Sequence, residues 1–293
     1  MEAYQPKIKF FQQRSFGEKV NVTFDFLKEN FKPLFKTLIM VEGPLILIAA
    51  VLNVIQQQNM MEMASDITQS QSPFGMMGAM GTTYTLATAL SVIIMATFPA
   101  IIFRYIFLYQ TMPPSSITFK DMLPTLFRDS GMLFGIIILY CIALVIGFFL
   151  FVIPGFYVMI GFSLAFPILF FEDKNAFESM SRSLTLIKGK WWSTFGFLLI
   201  IYFIQMAIAG LFMAPQIGVY FKQMFSSFDQ EQVFAPMSNT DLLLTMGITA
   251  IGTLGAYLTY TIGSVAVCFQ YFNLREKNES FGLMQEIDSL PTE

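Results

Sequence analysis

The 293-residue sequence contains no histidine and only two cysteines, Cys141 and Cys268, each inside an apolar run. Imidazoles and clustered thiolates hold zinc, copper, haem iron and iron–sulfur centres, so their absence excludes the conventional forms of those sites. It also removes the Ser-His and Cys-His nucleophiles, and two isolated cysteines make no disulfide framework. No cofactor, metal or catalytic residue is expected. Charge is scarce as well: only 13% of residues are Asp, Glu, Lys or Arg, about half the share of a soluble globular chain. The first thirty residues carry repeated Lys and Arg and lack a compact apolar core with a small-residue cleavage site, so no cleavable signal peptide is expected.

The bulk of the chain is apolar: 55% of residues are hydrophobic and 16% aromatic. The runs Leu34–Ile55, Leu86–Leu108, Met132–Ile153, Phe156–Phe171, Phe195–Met213 and Leu242–Phe269 approach or exceed the ~20 residues a helix needs to cross the hydrocarbon core. The expected fold is an all-α polytopic membrane protein of six transmembrane helices arranged as three hairpins, the third and fourth spans turning tightly through Pro154-Gly155. Residues 1–293 are read as one integral membrane domain whose last part, 273–293, is a short cytoplasmic tail.

The bases are unevenly placed. Sixteen of the seventeen Lys and Arg fall in the even-numbered connections, the N-terminal segment or the tail, and Lys222 is the exception. The positive-inside rule assigns that side to the cytoplasm and puts both termini there. Acids interspersed among these bases leave a net charge of −3, which speaks against a nucleic-acid surface.

Before spans one, three and five the sequence repeats a plan. Ser15 is followed by Glu18, Thr118 by Asp121 and Asn175 by Glu178, the capping-box spacing that satisfies orphan N–H groups at a helix start. Each pair opens an amphipathic stripe: Phe16, Val20, Phe24, Leu27 and Phe31; Phe119, Met122 and Leu126; Phe177, Met180, Leu184 and Ile187. The periodicity predicts a cytoplasmic amphipathic helix before each hairpin, lying among the headgroups or packed under the bundle. The units begin at 15–57 with span two at 83–110, then 118–173 and 175–272.

The segment around the third unit, Phe166-Pro167-Ile-Leu-Phe-Phe-Glu172 through Asn175-Ala-Phe-Glu-Ser-Met-Ser-Arg182-Ser183-Leu184 to Lys188-Gly-Lys-Trp191-Trp192, resembles the membrane domain attached to some bacterial glycerophosphoryl diester phosphodiesterases. It is similar also to stand-alone six-helix bacterial proteins of unknown function. The resemblance is best over 160–200 and implies a bacterial inner-membrane protein. It carries no catalytic residue, because the activity of those fusions belongs to a separate soluble barrel.

Glu42, Arg104 and Glu172 are the candidate intramembrane charges. Glu42 and Arg104 each lie six residues inside a boundary, ~9 Å deep, and either could pair with the other, with Glu172 as a rival for Arg104. The alternative has Arg104 snorkelling to the headgroups and Glu42 serving the backbone at Gly43-Pro44. Arg182, Lys188, Trp191 and Trp192 form an expected interfacial collar, with Arg182 and Lys188 facing water or a partner and the tryptophans in the interfacial belt. Met60, Met61, Met63, Met76, Met77 and Met80 cluster in the connection 56–83; thioethers suit Cu(I), although a flexible surface loop fits better. In span six, Thr245, Thr249, Gly252, Ala256, Thr259, Gly263 and Ala266 make a small-residue seam for close helix packing.

The expected partners are the lipid bilayer and a protein docked on the amphipathic helices. The expected function is that of a non-enzymatic scaffold or accessory membrane subunit. The alternative is a transporter or lipid-handling protein with a cavity between kinked spans.

Overall fold

The computed structural model describes residue 4 and residues 6–70, 81–226 and 239–288. Among the described residues the regular elements are all helices: α1 Phe16–Ser70, α2 Thr82–Tyr109, α3 Phe119–Leu150, α4 Val152–Gly161, α5 Ala165–Phe171, α6 Ala176–Ile187, α7 Trp191–Ser226, α8 Asn239–Glu279 and α9 Phe281–Asp288. Six stretches are long and apolar enough to cross a membrane: Phe16–Gln56, Thr82–Tyr109, Phe119–Leu150, Val152–Phe171, Trp191–Phe221 and Leu243–Glu279. The chain is an all-α polytopic membrane protein.

The three cap pairs form as their spacing requires. The backbone N–H of Ser15 donates to Glu18 (2.7 Å), that of Thr118 to Asp121 (2.8 Å) and that of Asn175 to Glu178 (3.1 Å). Beyond the first two caps, however, the expected separate helix is absent. The first amphipathic stripe runs without a break into span one as the 55-residue α1, and the second continues into span three as α3. Neither stretch carries a residue in the left-handed conformation, so nothing ends the helical ladder, and Pro33 and Pro124 are accommodated inside it. Only the third unit breaks: α6 stops at Ile187 and Gly189 turns the chain at φ 73°, a conformation glycine enters without a Cβ penalty.

The hairpin between spans three and four turns one residue after α3, at the extended Phe151, rather than at Pro154-Gly155. Pro154 occupies the first turn of α4, where its missing N–H costs nothing. Span four is itself interrupted at 162–164, which lets Pro167 sit in the first turn of α5. At the other end, α8 extends ten residues past Phe269 to Glu279 and α9 follows. The stretch expected to be a tail thus begins as packed helix, with Asn273 and Leu274 buried.

The helices sort into two compact units. The first comprises Met1–Leu38, Ala96–Gln205 and Tyr260–Glu293, and the second Ile39–Met95 and Met206–Thr259. The first unit is built on aromatic rings. Phe26 meets Tyr105, Tyr109 and Phe269 edge-on at 5.2–6.4 Å, and Phe171 meets Phe272 at 4.9 Å; such pairs contribute about 1 kcal/mol beyond their buried area. In the second unit the small-residue seam faces inward. Thr245, Thr249 and Gly252 are buried, and a Cβ on Gly252 would meet Gln216, Met213 and Phe212 of α7. A Cβ on Gly255 would enter the Phe212 ring, so Gly255 joins the seam although its spacing left it out. In the first unit Gly263 has the same relation to Gln205.

Candidate functional site

The charged groups of the first unit converge in three places. The first is a ring of four. Glu172, which caps the end of α5, accepts from Arg182 Nε at 2.9 Å and lies 3.8 Å from Arg275 Nε. Arg182 also bonds Glu279, and Arg275 lies 3.4 Å from Glu279 one helical turn away. Two guanidiniums and two carboxylates alternate, so the ring is neutral. Tyr271 closes its inner side, donating to Glu172 (3.2 Å) and accepting from Arg275 (2.8 Å). Partial burial acts to lower the Arg182 pKa, but the hydrogen bonds and charges of Glu172 and Glu279 outweigh it and hold the guanidinium above its usual range.

The second place joins α2 to α3. Arg104 donates through Nε and Nη2 to the two carboxylate oxygens of Asp129, both at 2.7 Å. The guanidinium lies over the Phe107 and Phe170 rings at 5.3 and 5.9 Å. Arg128 approaches Asp129 to 3.5 Å from an exposed position, where such a contact contributes little.

The third place is the buried Lys19. Its ammonium donates to Gln270 Oε1 at 2.7 Å and sits 4.6 Å from the centre of the Phe197 ring, while Gln270 Nε2 donates to Thr194 at 2.8 Å. Beside it the N-terminal segment is latched: Arg14 N–H donates to Asn273 (2.7 Å), and its guanidinium bonds the Phe10 carbonyl (3.0 Å). Burial lowers the Arg14 pKa against the opposing charge of Glu18.

The expected partners therefore rearrange. Arg104 is held by Asp129 and Glu172 by Arg182 and Arg275, so the rival pair Arg104–Glu172 does not form. Asp129 is not among the expected intramembrane charges because it lies three residues before the apolar run that begins at Met132; an acid at that edge was the available signal. Glu42 is buried on α1 and belongs to the second unit, whereas Arg104 and Glu172 belong to the first.

The collar is also revised. Arg182 turns into the ring of four rather than toward water, because α6 packs as part of the unit: Ser179, Met180, Ser183, Leu186 and Ile187 are buried. Its predicted stripe splits, with Met180 and Ile187 inward and Phe177 and Leu184 exposed. Lys188 is exposed at the end of α6. Trp192 is exposed too, while Trp191 stacks on Tyr157 at 6.0 Å and on Phe195 at 5.4 Å. These rings, with Ile153 and Phe156, line an open hollow of about 420 Å³. The side chains of Met60, Met61, Met63, Met76, Met77 and Met80 lie outside the described residues, and α1 extends through the start of the expected loop as far as Ser70. Among the described residues no group of three His, Cys, Asp or Glu is placed to hold a metal ion.

The chain belongs to the family described as Domain of unknown function (DUF7847), whose model matches residues 37–274. That range includes Arg104, Asp129, Glu172 and Arg182 and stops one residue before Arg275. No curated protein and no solved structure matches the chain.

Proposed function

We propose that this family member is a non-enzymatic scaffold or accessory subunit of a bacterial cytoplasmic membrane, with both termini and the α6 end on the cytoplasmic side. The observation that carries the reading is the closed ring Glu172–Arg182–Glu279–Arg275. A transport path or an active site needs charged groups held ready for a solute or a reacting atom. Here the guanidiniums and carboxylates neutralise one another and tie α5, α6 and α8 together. Beside the ring, Phe177 (72% exposed), Leu184 and Lys188 form an apolar and basic face on α6 that fits a protein partner. The distribution of bases supports the sidedness. The resemblance to membrane domains that accompany a separate catalytic barrel supports the accessory role.

The test is affinity purification from native membranes in mild detergent, wild type beside Phe177→Glu. The expected result is one stoichiometric protein that is lost from the variant while the melting temperature stays unchanged. Recovery of a bound lipid or solute with no protein partner overturns the reading in favour of lipid handling. The aromatic hollow at Tyr157 and Trp191, which has the character of an acyl-chain site, is what favours that second reading.

A further inference from the structure

The chain from 130 to 171 contains no Asp, Glu, Lys or Arg, and α3 with the α4–α5 pair is long enough for two crossings. Contacts within the first unit restrict where the hairpin tip can go. The Tyr157 carbonyl accepts from Trp191 Nε1 at 3.3 Å, and the two rings stack. Four residues on, the Gly161 carbonyl accepts from Ser183 Oγ of α6 at 2.6 Å. Trp191 is the first residue of α7, and Thr194, one turn later, bonds Gln270, which bonds Lys19 in the first turn of α1. Tyr157 is therefore fastened to the first turn of α7, which is itself tied through Gln270 to the first turn of α1.

Phe151, the turn of the hairpin, is six residues from Tyr157, which at 1.5 Å per residue reaches about 9 Å further. The hydrocarbon core is about 30 Å thick, so the tip stops well short of the far side.

The tip cannot rest in water either. Phe149 is 90% exposed, Ile153 81% and Phe151 76% within the protein, and an apolar surface of this size requires lipid. Its backbone is fit for lipid, where unpaired groups are costly. Phe151 N–H donates to the Gly147 carbonyl (3.2 Å) and Gly155 N–H to the Phe151 carbonyl (3.3 Å). The break at 162–164 is closed by Phe162 N–H to Val158 (3.0 Å), Ser163 N–H to Ile160 (3.1 Å) and Ala165 N–H to Phe162 (3.0 Å).

We propose that α3, α4 and α5 form a re-entrant hairpin whose tip, Phe148–Ile153, embeds among the acyl chains of the leaflet adjoining Trp191 and Trp192, and that the chain crosses the bilayer four times, through α1, α2, α7 and α8. The occupant of the exposed hairpin surface is thus one leaflet of the membrane. This holds whichever partner the α6 face binds.

Single cysteines at Phe151, Thr82 and Ser181, each on a Cys141→Ala/Cys268→Ala background, test it in sealed membrane vesicles with a membrane-impermeant maleimide added to one side at a time. All three positions are at the surface or at a helix end, so folding is retained. Thr82→Cys and Ser181→Cys are expected to react from opposite sides, and Phe151→Cys from the Ser181 side or from neither. Reaction of Phe151→Cys from the Thr82 side overturns the proposal. In the same membranes Phe156→Cys/Trp192→Cys, two exposed positions that line the same hollow and leave the Trp191–Tyr157 contact in place, is expected to be joined by a short bismaleimide. Failure of that crosslink also overturns it, because the tether would then be missing in the bilayer.

Discussion

Arg104 and Asp129, twenty-five residues apart, meet through two parallel hydrogen bonds of 2.7 Å, with the carboxylate almost wholly enclosed. The bidentate geometry aligns both donors of a planar guanidinium with both acceptors of the acid. It also fixes how α2 and α3 face one another. Removing one partner strands the other: Asp129→Asn and Arg104→Gln are each expected to cost about 3 kcal/mol. The double variant should lose clearly less than the sum. Unfolding titrations of all four proteins in detergent measure the coupling, and additive losses would show that the pair does not act as one.

Lys19 is a cation enclosed by Gln270, Phe197 and Phe16. Lys19→Met keeps the stem but leaves the Gln270 oxygen without its donor, a loss of about 1–3 kcal/mol for a buried acceptor. Adding Gln270→Leu removes the orphaned group and should restore most of the stability. A double variant no better than Lys19→Met alone would refute the assignment.

Gly189 is at φ 73°, and a Cβ placed on it would meet nothing within 4 Å. The only objection to a larger residue there is backbone conformation. Gly189→Ala is therefore expected to lower stability by about 1 kcal/mol and Gly189→Asn by less. Equal melting temperatures for the wild type and both variants would mean that the turn tolerates right-handed geometry.

Gly255 and Gly247 lie two turns apart on α8 in different surroundings. A Cβ at Gly255 runs into Phe212, whereas one at Gly247 meets nothing within 4 Å. Gly247→Ala should gain up to about 1 kcal/mol of helix propensity. Gly255→Ala should lose about 1–3 kcal/mol through overpacking. If thermal unfolding ranks the two variants the other way, the close approach of α7 and α8 at Gly255 is wrong.

Much of this was legible in the residues. The six apolar runs and the three cap pairs are local facts: they depend on hydrophobicity over one helix length and on a side chain reaching three residues back. The inward seam on α8 was legible too, since small residues three and four apart share one helix face.

Only the tertiary structure decided which charges meet. Glu172 had Arg104 as its expected rival partner but is held by Arg182 and Arg275, and Arg104 is held by an acid that stands outside every apolar run. A charge inside a membrane protein accepts whichever opposite charge packing brings within about 3 Å, and sequence spacing says nothing about that between different helices. The same holds for the amphipathic stripes. Periodicity puts Phe177, Met180, Leu184 and Ile187 on one face, but the packing of α6 divides that face: Met180 and Ile187 are buried, Phe177 stands outside, and Leu184 stays exposed while its tip lies over Gly161. Hydropathy measures whether a helix can cross a bilayer; the contact between Tyr157 and Trp191 determines how far the hairpin tip reaches.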